Sequence, residues 1–139
     1  ELLQRRENMI RQWFTMWLSK QNTGLENIFS PMPYIELGPE YHGTDAIKHW
    51  FEEWNTRGIV RQWDIQQFFH KEDETVVQWQ FQCELSGEPD QSFEGLSLIR
   101  WGKEDKIAFL QEFGCSNKRY DPYADGPVPV FGDDPAMWL

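Results

Sequence analysis

The stretch Thr75-Val76-Val77-Gln78-Trp79-Gln80-Phe81-Gln82-Cys83-Glu84-Leu85 decides the fold. Val77, Trp79, Phe81 and Cys83 alternate with Gln78, Gln80, Gln82 and Glu84, a period of two that predicts a strand with one apolar and one wet face. The same period continues on both sides, so strands are expected over residues 59–69, 75–85, 92–101 and 106–113, parted by polar turns at 71–74, 86–90 and 102–105. Turns this short join antiparallel neighbours, and the four strands form a meander. In the last strand both faces are apolar, with Ala108, Leu110 and Glu112 on one and Ile107, Phe109 and Phe113 on the other. A second copy of the chain, giving a homodimer through the outer sheet face, or the segment 128–138 is expected to cover the outer side.

Upstream the period is 3.6. Leu3, Ile10, Trp13, Phe14 and Trp17 make one stripe of an amphipathic helix ending near residue 18, and Ile47, Trp50, Phe51 and Trp54 make another behind the helix start Thr44-Asp45. Between them, Leu25, Ile28 and Phe29 read as one helical turn that Pro31 and Pro33 end, followed by a brief strand over 34–37. Helices first and a meander last predict an α+β domain, a curved antiparallel sheet wrapped around N-terminal helices as a cone-shaped barrel. That domain is assigned to residues 1–114. Residues 115–139, with four of the chain's eight prolines, read as an extended arm.

The chain of 139 residues is 40% hydrophobic and 16% aromatic, which predicts one folded domain and excludes both a disordered segment and a two-domain enzyme. A formal charge of -10 repels phosphate backbones and anionic lipid, so neither nucleic acid nor a membrane is an expected partner. Without an apolar run of membrane-spanning length or a leader-like start, the expected location is the cytoplasm. Cys83 and Cys115 lack C-x-x-C spacing and are expected as free thiols. His42, His49 and His70 fall on a helix start, a polar helix face and a turn, where exposure is expected and no two ligands share a face. No metal and no cofactor is expected.

The helix ending near Trp17, the turn to Phe29, the strand Tyr34-Ile35-Glu36, the start Gly43-Thr44-Asp45-Ala46-Ile47 and the closing run from Ile99-Arg100-Trp101 to Asp105-Lys106-Ile107 form a recognisable order. Over residues 8–114 it resembles a SnoaL-like domain of the nuclear transport factor 2-like superfamily. The resemblance implies a curved sheet on helices, an apolar pocket open at one end and, commonly, a homodimer. It implies no single activity, because ketosteroid isomerase, limonene epoxide hydrolase, SnoaL-type polyketide cyclases, scytalone dehydratase and binding proteins without chemistry share the fold.

Matched to ketosteroid isomerase, the base position falls on Leu37, the oxyanion-hole Tyr on Trp13, its Asp on Ser97 and the supporting Tyr on Phe51. The isomerase's acid and base are therefore missing. Glu112 falls where limonene epoxide hydrolase and the cyclases carry an acid/base aspartate, and by alternation it shares a face with Ala108 and Leu110, where desolvation would raise its pKa. The alternative is a rim carboxylate, solvated or paired to Arg100 or Lys48. Glu36, one residue from the base position, turns inward only if the register slips by one. Ser97 is expected as a small pocket-facing hydroxyl, since Gly95-Leu96-Ser97-Leu98-Ile99 misses the nucleophile-elbow pattern. The candidate catalytic residues are thus Glu112, Glu36 and Ser97.

The candidate lining for a small hydrophobic or aromatic molecule is Trp13, Trp17, Phe51, Trp79, Phe81, Ile99, Trp101 and Leu110, because large rings converging on a concave sheet suit such a guest. The expected function is binding, with cofactor-free cyclisation, dehydration or isomerisation as the catalytic version. A non-catalytic ligand-binding or dimerisation module is the alternative.

Overall fold

The computed structural model describes residues 1–37 and 39–115. The expected arm, apart from Cys115, lies outside the described residues. Helix α1 (Leu2–Ser19) is capped by the Glu1 carboxylate, which accepts the Leu3 and Gln4 N–H groups, and it buries Ile10, Trp13, Phe14 and Trp17. A single turn, α2 (Leu25–Ile28), leads into β1 (Phe29–Glu36) and the short β2 (Glu40–His42). Helix α3 (Thr44–Arg57) buries Ile47, Trp50, Phe51 and Trp54, the stripe expected from its spacing. The meander follows as β3 (Gly58–Lys71), β4 (Glu74–Leu85), β5 (Gln91–Trp101) and β6 (Ile107–Cys115). Among the described residues no helix is long and apolar enough to cross a membrane.

The strands form one curved sheet in the order β2-β1-β6-β5-β4-β3, open between its edge strands β2 and β3. The expected antiparallel sheet is mixed, because β1 runs parallel to β6, with Ile35 beside Leu110 and Glu36 beside Gln111. The alternation of β3 to β6 cannot reveal that pairing, which depends on where the helices return the chain. Strand β1 also starts at Phe29 and runs through Pro31 and Pro33. Its register with β6 shifts between Phe29 and Tyr34, so the prolines sit where a regular ladder is interrupted.

Bulges bend the sheet and change which side chains face in. Register shifts in β3 between Val60 and Gln62 and between Ile65 and Gln67, and one between Arg100 and Trp101 opposite β6, each add local twist. In β6 the pairing passes from Ile107 to Phe109, leaving Ala108 as the extra residue. Ile107, expected on the outer face, is therefore fully buried together with Leu110. Phe113 stays outside and is half exposed.

Arg6 fastens the helix to the turn end of the sheet. It is 2% exposed, donates to the Glu72 carbonyl at 3.1 Å, to Asp73 at 3.1 Å and to Asp105 at 3.0 Å, and stacks over Trp101. Glu72, Glu104 and Asp105 all have positive φ, so this guanidinium, joined at Asp105 by Arg5 at 2.7 Å, holds two turns in a conformation their side chains disfavour. His70, expected at the surface, is drawn into the same region, with Nδ1 2.9 Å from Thr75 Oγ1 and Nε2 2.8 Å from Glu7 Oε2.

Candidate functional site

A hollow lies between the helices and the concave face of the sheet. It provides about 40 Å³ for the centre of a solvent molecule and about 400 Å³ of atom-free space out to its mouth. Indoles dominate its wall: Trp17 from α1, Trp50 and Trp54 from α3, Trp63 from β3 and Trp79 from β4. Phe81, Phe93 and Leu37 add to the apolar lining, and among the described residues Glu112 is its one charged member. The indoles brace one another edge to face, with Trp63 and Trp79 at 88° and 5.7 Å and Trp17 and Trp54 at 85° and 5.5 Å. Phe14 stacks behind Trp63 at 3.8 Å and fixes its plane.

One wall residue, Trp79, owes its place to Gly95. Trp79 faces Gly95 across the β4–β5 ladder, and a Cβ added there would stand 2.4 Å from the indole and 2.5 Å from the Phe113 carbonyl oxygen. Only a residue without a side chain leaves room there for the ring. The indole Nε1–H then reaches across and donates to Ser97 Oγ at 2.9 Å.

Ser97 and Glu112 are direct partners in the β5–β6 ladder, so two of the three candidate catalytic residues share the inner face. Ser97 is fully buried and its oxygen is occupied by Trp79. Glu112 has no hydrogen-bond partner or ion pair among the described residues. Burial among the rings pushes its carboxyl from 4.5 up to about 8. It keeps some accessible surface because it borders the hollow. Neither rim partner weighed for it takes that role: Arg100 donates to Glu74 at 3.1 Å and covers Phe109, and Lys48 is exposed.

Glu36 is apart from both. Its ladder partner is Gln111, one residue from Glu112 and therefore on the opposite face, and its carboxylate accepts from the Tyr34 hydroxyl at 3.4 Å. Burial, reinforced by Glu40 and Glu36, pushes that Tyr34 hydroxyl up to about 12.

Of the candidate lining residues, Trp17, Trp79 and Phe81 border the hollow. Trp13, Phe51, Ile99 and Leu110 are buried in the core behind it. Trp101 points elsewhere: its Nε1–H donates to Thr75 Oγ1 at 2.9 Å and Arg6 covers its face. Trp63 and Phe93 were not foreseen. The β3 bulge after Val60 flips the alternation before Trp63, which hides it from a strict period of two. Leu37 reaches the hollow from the end of β1, at the position the family likeness aligns with a base.

Among the described residues no three His, Cys, Asp or Glu side chains gather as a metal site would require. Cys83 is a free, buried thiol.

No protein-family model matches the sequence, and no curated protein matches it. Solved structures do. A protein from Burkholderia pseudomallei, NTF2-like and of unknown function, is 10% identical, with 80% of this chain and 91% of that one covered at a TM-score of 0.68. A protein with a ketosteroid isomerase-like fold from Catenulispora acidiphila, solved in complex with trimethylamine, is 14% identical over 76% of this chain and 83% of that one, at 0.64. A Mesorhizobium loti protein assigned as a SnoaL-like polyketide cyclase is 14% identical over 77% and 97%, at 0.63. Identities this low establish a shared fold and nothing finer.

Proposed function

We infer that this chain, having the SnoaL-like cone fold of the nuclear transport factor 2-like proteins, binds a small, compact molecule with an apolar surface in its hollow. The observation that carries the reading is the wall itself: seven aromatic rings around open space, with one carboxyl among them. Rings at packing distance normally close on one another, and here they leave a void. The narrowness of that void favours a compact guest over a steroid-sized one. The trimethylamine bound by the Catenulispora relative is a molecule of that compact class.

Proton transfer by Glu112 is the second reading, favoured by a carboxyl that titrates near neutrality. Among the described residues the lining supplies no second titratable group beside Glu112 to share a proton transfer. Binding is therefore the better supported function.

Tryptophan fluorescence tests it. A panel of compact guests, phenol, 3,3-dimethylbutan-1-ol and choline, is titrated into the protein, and at least one should give a saturable change that Leu37→Trp, by filling the hollow, abolishes. No saturable change with any of the three, or binding undiminished in Leu37→Trp, would remove the proposal.

A further inference from the structure

We propose that the guest is a small methylated ammonium, its methyl groups against the indole faces and its positive charge beside the Glu112 carboxylate. This rests on the binding function proposed above and narrows it to one chemical class.

The segregation of side chains is the first argument. The fully buried aliphatic residues, among them Ile10, Ile35, Ile99, Ile107 and Leu110, pack the solid core, whereas among the described residues the wall of the hollow has a single aliphatic member, Leu37. Aliphatic side chains would serve a neutral apolar guest equally well. Five indoles would not be needed for it, but they are the best available faces for a cation, because the indole carries the strongest negative ring potential.

Charge is the second argument. Among the described residues Glu112 is the only ionisable group at the hollow: the lining contributed by α1, α3, β3, β4 and β5 carries no Lys, Arg, His, Asp or second Glu, and Ser97, its ladder partner, does not titrate. Burial alone perturbs Glu112, with no neighbouring charge adding to it. An anion would find no cation to meet it among the described residues, and a neutral guest without a hydrogen-bonding group would leave the carboxyl unanswered. A guest bearing one positive charge answers it.

Methylation is the third. A primary ammonium brings three N–H donors that each require an acceptor, and in this lining only the Glu112 carboxylate accepts through a side chain. Methyl groups remove that demand and offer apolar surface instead. The compactness of a trimethylammonium head also matches the small volume.

The proposal couples binding to proton release. Burial among the rings keeps Glu112 protonated up to about pH 8, and a cation selects the ionised form. Affinity should therefore rise as pH rises, by about tenfold per unit below that point.

Choline and 3,3-dimethylbutan-1-ol share one shape and differ by the charge. Calorimetric or fluorescence titration of both into the full chain at pH 6, 7 and 8.5 is the test. Choline should bind at least tenfold more tightly than the alcohol at pH 8.5, the advantage should shrink by about eightfold from pH 8.5 to 7 and by about another tenfold from pH 7 to 6, and it should vanish in Glu112→Gln. Equal affinity for the two at pH 8.5, or a preference unmoved by pH in the wild-type protein, overturns the proposal and leaves small-molecule binding standing. Saturation by neither compound, nor by phenol, removes both.

Discussion

Replacing Glu112 with glutamine should make the protein more stable at pH 8 than the wild type, and the margin can be worked from the carboxyl's surroundings. Its pKa is 4.5 in an ordinary setting and about 8 in the hollow. Below pH 4.5 the group is protonated in both folded and unfolded chains and its titration favours neither. As pH rises, the unfolded chain ionises while the folded one keeps its proton, so stability falls until pH 8 is passed. At about 1.4 kcal/mol per pH unit the penalty is roughly 3 kcal/mol at pH 7 and approaches about 5 kcal/mol above pH 8. Glutamine does not titrate, so its curve lacks this component. Urea unfolding followed by tryptophan fluorescence at pH 5, 6, 7 and 8 measures both proteins, and subtracting them cancels every other titrating group. A difference that grows by about 1.4 kcal/mol per unit is expected. Parallel curves across the range would refute the burial of an unpartnered carboxyl. A constant offset from the amide's own hydrogen-bonding needs would not disturb the slope.

Gly95→Ala should cost about 1–3 kcal/mol and shift tryptophan emission, since its methyl meets the Trp79 ring and a backbone carbonyl at once; an unchanged melting temperature would contradict that packing. Arg6→Ala should lower stability by about 3 kcal/mol, because one buried guanidinium serves two turns. Hydrogen exchange should quicken at residues 72–73 and 103–105 in the same variant, and unchanged protection there would deny the clamp. We propose that a second copy covers the outer face around Leu96 and Phe113, ladder partners that are 41% and 50% exposed. Sedimentation at micromolar concentration should show a dimer that Leu96→Lys dissociates, and a monomeric wild type would end that proposal.

The helices and the meander were legible because their periods are clean. Ile47, Trp50, Phe51 and Trp54 are all buried, and Val77, Trp79 and Cys83 all point inward, as period alone requires. Legibility failed where backbone irregularity intervened. The extra residue Ala108 turned Ile107 into the core, and the bulge after Val60 turned Trp63 towards the hollow, and neither leaves a mark in composition. Long-range pairing was equally hidden: the brief strand expected over 34–37 supplies the residues of β1 that meet Phe109, Leu110 and Gln111, but nothing in its own sequence names that neighbour. Glu112 could be singled out because an ionisable residue interrupts an otherwise apolar face. Trp101 could not be separated from the lining tryptophans, because its fate depends on Arg6, far away in sequence, and on Thr75.

The parallel pairing of β1 with β6 bears on how the chain reaches its final shape. When β1 leaves the ribosome its future neighbour is some seventy residues from being made, so one whole flank of the strand waits without a partner while the meander is still being synthesised. Closure of the cone is thus a late event, requiring the last strand to slot between β1 and β5. Chains truncated before residue 107 would carry two unsatisfied edges in place of a seam, and aggregation of such fragments is the natural outcome.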